Sequence, residues 1–414
     1  MNIDILSNID NPRQLEKLYR QNKAGFRQQF SKVYPELKEN KIADFWNERL
    51  NYESEEVNWG TARDIKFVII ASVLAGTIAK LPGIFTLDEE FFYQRNIGFI
   101  VFPILSLYFA IKNKLKTKKI VFISVAILAS LFFINFLPDQ KKSDSLLLSC
   151  IHLPLLLWCV SGYAFVGGSL HTHEKRLLFL RFNGDLVVMT ALILMAGGIL
   201  TGVTIGLFEL IDLNIKNFYF ENVVIFAIAA SPIIGTYLTE TNPQIVNRVS
   251  PLIAKIFSPL VLVTLIAFLV AIVISGKDLY HDREFLLIFN ALLIGVMALI
   301  FFSVAGTSRP AKNYLETFIL FLLSILTVIV NGIALSAILF RISEWGITPN
   351  RIAVLGANIL MLTNLILVTI KLLKALRGTN DKTEVGAAIA LFLPVYAVWV
   401  FLVTFFFPLI FTFK

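Results

Sequence analysis

The sequence predicts an all-α fold, a polytopic bundle of about eleven transmembrane helices with a small helical segment before it. Hydrophobic residues make up 57% of the chain and charged residues 16%, with a mean hydropathy of +0.74, whereas soluble domains are about 25% charged. Apolar runs of roughly 18 residues or more recur from residue 66 onward, and about 20 residues suffice for a helix to cross the hydrocarbon layer. Residues 1–65 contain no such run.

Each long apolar run predicts one span, and the count includes one short run that Pro103 interrupts. The predicted spans are 66–86, 97–112, 119–137, 145–167, 185–208, 221–240, 251–275, 284–305, 313–340, 347–373 and 384–410.

Residues 1–65 are predicted to be a cytoplasmic amphipathic helical segment, and residues 66–414 the transmembrane helical domain. One helix is expected to begin at Pro12 and to end before Pro35, because proline favours a first helical position and cannot continue a helix. This helix is rich in Lys and Arg. It either lies on anionic headgroups, as basic amphipathic helices do, or docks on the protein's own loops. A second helix carries Ile42, Phe45, Trp46 and Leu50 on one face.

The distribution of basic residues predicts the orientation of the chain. The loop KNKLKTKK at 112–119 is strongly basic, whereas LDEEFFYQR at 87–95 is acidic and aromatic. Because cytoplasmic loops are enriched in Lys and Arg, the N-terminus is predicted to be cytoplasmic and the C-terminus to lie outside. The net charge of +8 is therefore attributed to topology, and no nucleic-acid partner is predicted.

Several long stretches resemble a bacterial multi-pass membrane family known as domain of unknown function 4153. They are PRQLEKLYRQNKAGFRQQF with ADFWNERLNYE, then RFNGDLVVMTALILMAGGILTG, and ETNPQIVNRVSPLIAKIFSPLVLVTLIAFLVAI with DREFLLIFNALLIGVMALIFFSVAG. The resemblance spans most of the chain. It implies a bacterial inner-membrane location. It does not imply an enzymatic activity, a cofactor or catalytic residues.

Polar residues inside the predicted spans are the candidate binding residues. Every Asp, Glu, Lys and Arg is expected near a span end, which argues against a proton relay or a voltage sensor. A histidine beside Pro154 could bond a carbonyl that the proline frees, and intramembrane asparagines can bond between helices. Packing is the alternative for each. The candidates are His152, Asn290, Asn331, Asn358 and Asn364, with Glu284 at an interface.

Glycines and prolines inside the spans predict close packing or helix breaks. Gly198, Gly202 and Gly206 recur every four residues, a spacing that lets helix backbones approach closely. The fifth span is therefore expected to pack tightly against a neighbour. Breakers such as Pro232, Pro259 and Pro394 predict either interrupted helices of the kind that form transporter sites or ordinary kinks.

The stretch HTHEKRLLFLRF at 171–182 concentrates titratable groups. His171 and His173 could chelate a metal ion only from extended backbone, because residues two apart diverge on a helix. We predict a short connector helix in the membrane interface instead, and no metal site. Cys150 and Cys159 are predicted to be buried thiols.

The sequence supports three hypotheses of function. The first is transport or handling of a small or lipidic molecule. The second is a regulatory or scaffold membrane protein that docks a cytoplasmic protein partner through residues 1–65. The third is a membrane enzyme acting on a lipid-linked substrate, which would need His171, His173 or Glu174; enzyme motifs are otherwise missing from the sequence. The predicted partners are the lipid bilayer, a small or lipidic ligand and a cytoplasmic protein. No cofactor is predicted.

Overall fold

The computed structural model describes residues 5–21, 23–37, 40–51, 59–140, 143–169, 172–275, 280, 283–306, 314–378 and 382–412. These residues are mostly helical, and no strand occurs among them. The chain divides into two compact units, Met1–Asn58 and Trp59–Lys414, a few residues before the boundary expected at 65.

The N-terminal unit is helical over most of its described residues. Its described α-helices are α1 (Pro12–Gln21), α2 (Lys23–Val33) and α3 (Lys41–Asn51). The long first helix that the sequence predicts from Pro12 corresponds to α1 and α2, between which residue 22 lies outside the described residues.

The apolar faces of these helices form a core inside the unit. Leu15, Phe26, Phe30 and Trp46 are each at most 2% exposed, and Tyr19, Phe26 and Trp46 meet in edge-on or tilted ring contacts. A helix that lies on a bilayer needs its apolar face for the acyl chains. Here that face is used within the unit.

The second unit begins at a strong helix start. Thr61 and Asp64 form a capping box in which each side chain bonds the other residue's backbone amide, satisfying donors that an N-terminus leaves free. Its helices are α4 (Ala62–Ala79), α5 (Leu81–Phe85), α6 (Glu89–Lys112), α7 (Thr117–Phe136), α8 (Asp144–Phe165), α9 (His173–Glu209), α10 (Lys216–Tyr219), α11 (Ile225–Thr241), α12 (Pro243–Ser275), α13 (Arg283–Gly306), α14 (Tyr314–Trp345), α15 (Pro349–Leu376) and α16 (Lys382–Ile410).

Eight described helices are long and apolar enough to cross a membrane, which confirms a helical membrane-spanning fold. They are α6, α7, α8, α9, the continuous Lys216–Thr241 stretch, α14, α15 and α16. The three remaining predicted spans fall on α4 with α5, on α12 and on α13, where shorter apolar stretches Ile256–Ile272 and Phe289–Val304 are described. A total of eleven stays a prediction.

Two large apolar cores hold this unit together. One joins α4, α6, α7, α8, α9 and α11, and the other joins α12 to α16. The first part of α9 contributes to both, because Phe179 and Phe182 belong to one core and Leu180 to the other. A further link is the Ser149 hydroxyl of α8, which donates to the Thr404 carbonyl of α16 at 2.6 Å.

The stretch 171–182 is not an interfacial connector. From His173 onward it is the start of α9, a helix of 37 residues. Phe179 is buried against Trp158, with ring centroids 5.0 Å apart, and against Gly162. The apolar residues were expected to lie in the membrane interface, but Phe179, Leu180 and Phe182 are buried inside the bundle, whereas Leu178 is exposed.

The glycine face of α9 does not pack against the described part of the chain. A Cβ placed at Gly198, Gly202 or Gly206 would meet none of its atoms within 4 Å, so the predicted tight packing is wrong within these residues. Close approach occurs earlier in the helix, at Gly184, where a Cβ would lie 3.1 Å from the Phe302 ring.

Prolines do not break the helices that contain them. Pro103, Pro154, Pro232 and Pro394 lie inside α6, α8, α11 and α16. One irregular segment among the described residues is a π-helical turn at Phe220–Val224, between α10 and α11. Interrupted helices are thus not found at the described prolines.

Candidate functional site in the membrane domain

The candidate site lies on the last three helices, α14, α15 and α16. The first two form a hairpin closed at residues 346–348, where Gly346 has a φ of +77° that glycine adopts without strain. Thr348 caps α15 by accepting from the Arg351 amide at 3.3 Å. The Arg351 guanidinium also donates to the carbonyls of Trp345 and Gly346, at 2.8 and 2.5 Å. These bonds fix the register of the two helices.

The hairpin places two asparagines at one depth. Asn331 lies 14 residues before the end of α14 and Asn364 lies 15 residues after the start of α15, so both are about 20 Å from the turn at 1.5 Å per residue. Asn358 is nearer the turn, at about 14 Å. All three are 0% exposed.

The amide of Asn364 has one hydrogen-bond partner among the described residues. Its nitrogen donates to the Tyr396 hydroxyl of α16 at 3.1 Å, while its carbonyl oxygen has no hydrogen-bond partner among the described residues. The same hydroxyl lies 3.5 Å from the Leu360 carbonyl and 3.8 Å from the Met297 sulfur of α13. Tyr396 therefore connects three helices at this level.

Asn331 and Asn358 are unsatisfied. In both side chains the nitrogen and the oxygen are buried without a hydrogen-bond partner in the described part of the chain. The Trp399 indole nitrogen on α16 shares this state, and the Trp399 ring packs directly on Gly356, two residues from Asn358. Native proteins pair more than nine in ten of their buried polar groups, so this concentration of unpaired amides is unusual.

Charged residues are remote from this group along each helix. No Asp, Glu, Lys or Arg occurs between Glu316 and Arg341 on α14, between Arg351 and Lys371 on α15, or after Glu384 on α16 up to residue 410. These helices therefore offer neutral amide, hydroxyl and indole groups. Such groups donate and accept hydrogen bonds and do not compensate a full charge.

The remaining predicted site residues lie elsewhere. The Nδ1 of His152 is 2.8 Å from the Leu148 carbonyl, four residues back on α8, and not on the carbonyl that Pro154 leaves free. Asn290 is half-buried on α13. Glu284 is in the first turn of α13, and its side chain lies outside the described residues. These three are not brought to the asparagine group by any described contact.

The histidine stretch shows no metal site among the residues described there. His171 falls outside them, and His173 and Glu174 are exposed. The Nδ1 of His173 is 2.9 Å from a guanidinium nitrogen of Arg176. No group of three potential metal ligands is found in the described residues.

Tyr396 and Trp399 were missed by the sequence interpretation. The sequence did contain a signal for them, namely their unusual position. Tyrosine and tryptophan in membrane spans usually concentrate at the membrane interfaces. LFLPVYAVWVF instead places both in the middle of an apolar run.

The fold and the site define an α-helical membrane protein with a buried, uncharged polar group between its last helices. Comparison of the chain with protein-family models, with curated proteins and with solved structures found no match. The resemblance to the bacterial multi-pass family therefore stays a prediction.

Proposed function

We propose that this membrane protein binds and transports a small or lipidic molecule, and that Asn331, Asn358 and Asn364 hold its polar, uncharged part. The observation that carries the proposal is the burial of Asn331 and Asn358, with both amide atoms of each unpaired among the described residues. The bacterial inner membrane, with the N-terminus in the cytoplasm, is the location we propose for it.

The energetic argument concerns the cost of these amides. A buried polar group without a partner costs about 1–3 kcal/mol, and water is scarce in the hydrocarbon layer. An apolar residue at the same positions would avoid this cost. A bound molecule that bonds the amides would offset it, and for that reason we assign them to ligand binding rather than to helix packing.

The chemistry of the group favours a neutral ligand. An amide presents two N–H donors and a carbonyl acceptor, which suits hydroxyl or amide groups, or a zwitterionic headgroup. A metal ion or a free carboxylate would need charged residues, and these helices carry theirs near their ends. Apolar neighbours such as Leu365, which is 1% exposed, would contact the nonpolar part of the ligand.

The depth of the group supports transport rather than surface binding. Carriers place substrate near the bilayer midplane and open to each side in turn. Asn331 and Asn364, about 20 Å from the hairpin turn, lie near the middle of helices of 32 and 28 residues.

The test is the accessibility of new cysteines to a membrane-impermeant, positively charged methanethiosulfonate reagent. The variants are Asn331→Cys and Asn358→Cys, and the controls are Val330→Cys and Ala337→Cys, which are also 0% exposed on α14. Labelling is measured by peptide mass spectrometry in right-side-out and inverted vesicles, so that native Cys150 and Cys159 are distinguished.

The proposal expects water-borne reagent to reach positions 331 and 358 at least tenfold faster than 330 and 337. Equal inertness of all four cysteines from both sides would exclude an aqueous route and overturn it.

A further inference from the structure

The N-terminal unit contains a groove between α1 and α3 with a volume of about 580 Å³. Ligand clefts usually enclose about 300–1,000 Å³. Its lining mixes cationic and apolar side chains: Arg20, Lys41 and Arg49, then Ile42, Phe45 and Trp46, with Glu16 between the arginines.

The charges of the groove leave a positive excess. Glu16 lies 2.8 Å from Arg20 and 2.9 Å from Arg49. The hydrogen bond from Arg20, opposed by burial and assisted by the charge of Arg49, holds the pKa of Glu16 below its ordinary value, so this carboxylate stays ionised near neutral pH. One anion is thus set against three cations, and Lys41 makes no ion pair with a described residue.

The groove is held in shape by aromatic packing. The Arg49 guanidinium lies over the Trp46 ring, 4.7 Å from its centroid, and over Tyr19 at 5.4 Å. Because Trp46 is 2% exposed and belongs to the core of the unit, the position of Arg49 is coupled to that core. The floor is therefore preorganised, which lowers the ordering cost of binding.

Apolar surface remains open beside the cations. Phe45 is 62% exposed, on the same helix as Lys41 and one turn from it. Phe45 therefore adds exposed apolar surface next to the cation of Lys41.

We propose that this groove binds an acidic peptide segment of a partner protein, with carboxylates at Lys41 and Arg20 and an apolar side chain on Phe45. Charge complementarity selects the acidic partner, and Phe45 selects a segment with a leucine or an aromatic residue. A concave site suits a peptide, whereas an anionic bilayer is flat and would need the apolar face already buried among α1, α2 and α3.

The test uses the full-length protein in nanodiscs of phosphatidylcholine and fluorescence anisotropy of labelled twelve-residue peptides. The probe peptide carries six Asp or Glu residues around a central Phe-Leu pair. One matched peptide replaces the acids with Lys, and another replaces Phe-Leu with Ser-Ser.

The variants Lys41→Glu and Phe45→Ser change exposed groove positions, and Lys17→Glu changes an exposed cation of α1 that does not line the groove. We expect Lys41→Glu and Phe45→Ser each to weaken binding of the acidic peptide at least tenfold. Lys17→Glu should change it less than twofold, because a solvated charge is screened at about 8 Å in physiological salt.

Hydrogen exchange of α1 to α3 verifies that each variant is folded. If Lys41→Glu loses protection from exchange, Lys41→Gln is used in its place. Three outcomes overturn the proposal: equal affinity for the acidic and the lysine peptide, equal affinity of all variants, or flotation with phosphatidylglycerol vesicles that depends on Lys41 while no peptide binds.

Discussion

Asn96 of α6 and Asn135 of α7 donate their amide hydrogens to each other's carbonyl oxygen, at 2.9 and 2.8 Å. Their second amide hydrogens bond backbone carbonyls one turn back, at Phe92 and Leu131. This pair is satisfied by the protein itself, in contrast to Asn331 and Asn358.

Breaking this pair should destabilise the protein. Asn135→Leu leaves the Asn96 amide, which is 6% exposed, without its interhelical partner, and such bonds contribute about 0.6–2 kcal/mol in membranes. We expect a loss of this size in the free energy of unfolding, measured by denaturant titration in mixed micelles.

The double variant Asn96→Leu with Asn135→Leu should recover part of the loss, since no lone amide remains. Thr204→Val serves as a control, because the half-buried Thr204 donates, within the described part of the chain, only to the Leu200 carbonyl of its own helix. Additive losses in the double variant would show that the two amides are not coupled.

Arg95 should be important for the end of α7. Its side chain is buried and donates to the carbonyls of Ile134, Leu137 and Pro138, at 2.6, 2.9 and 3.3 Å, which a helix C-terminus leaves free. Hydrogen bonds from a charged group contribute about 1.5–3 kcal/mol each.

Arg95→Met is therefore expected to lower the thermal midpoint clearly, and Arg95→Lys should rescue only part, because an ammonium group lacks the planar fork. The exposed Arg63 gives the control, Arg63→Met. A thermal midpoint of Arg95→Met within a degree or so of the wild type would refute the capping role.

Gly356→Ala and Gly202→Ala should differ sharply. A Cβ at Gly356 would overlap the Trp399 ring, whereas one at Gly202 would meet open space among the described residues. Overpacking typically costs about 1–3 kcal/mol, while alanine is up to about 1 kcal/mol better than glycine inside a helix.

Thermal unfolding of the two variants in one detergent gives the comparison. Gly356→Ala should unfold at lower temperature than the wild type, and Gly202→Ala at the same or a higher temperature. A loss at Gly202 would mean that its face packs against something other than the described chain.

The stability of the N-terminal unit should fall in acid. Because the ion pairs lower the pKa of Glu16 in the folded state, its contribution is fully present above the unfolded-state pKa, near 4.5, and is lost as the pH falls through the lower folded-state pKa.

The hydrogen-exchange protection factors of α1 and α3 in the full-length protein, corrected for the intrinsic pH dependence of exchange, should therefore fall more steeply below about pH 4.5 in the wild type than in Glu16→Gln. Asp10→Asn, an exposed carboxylate outside the groove, controls for general charge effects. Parallel pH profiles for the wild type and Glu16→Gln would contradict the assignment.

Hydrophobic periodicity and length are local properties, and they were enough to predict the described spans. The buried asparagines on α14 and α15 were also readable, because polar residues inside a 30-residue apolar run are conspicuous. The difference in their hydrogen bonding could not be predicted from the sequence. Asn364 donates a hydrogen bond to Tyr396 of the next helix, whereas Asn331 has no polar partner among the described residues. This difference depends on how each helix is rotated about its own axis, which the sequence does not specify.

The contacts of Arg95 could likewise not be predicted from the sequence. Its place near a span end suggested an exposed topology signal, but the turn after α7 folds back onto it. The glycines of α9 fit a packing motif in the sequence, yet the motif cannot specify whether a neighbour is present.

The length of α9 has a consequence for the surrounding bilayer. Its most apolar 18-residue stretch has no residue buried among the described residues, so this part of the helix is left for a partner outside them. A helix of 37 residues measures about 55 Å, and a bilayer with its headgroups about 40–45 Å. This helix must tilt, thicken the membrane around it, or project from it, and hydrophobic mismatch thereby makes lipid chain length a determinant of this protein's shape.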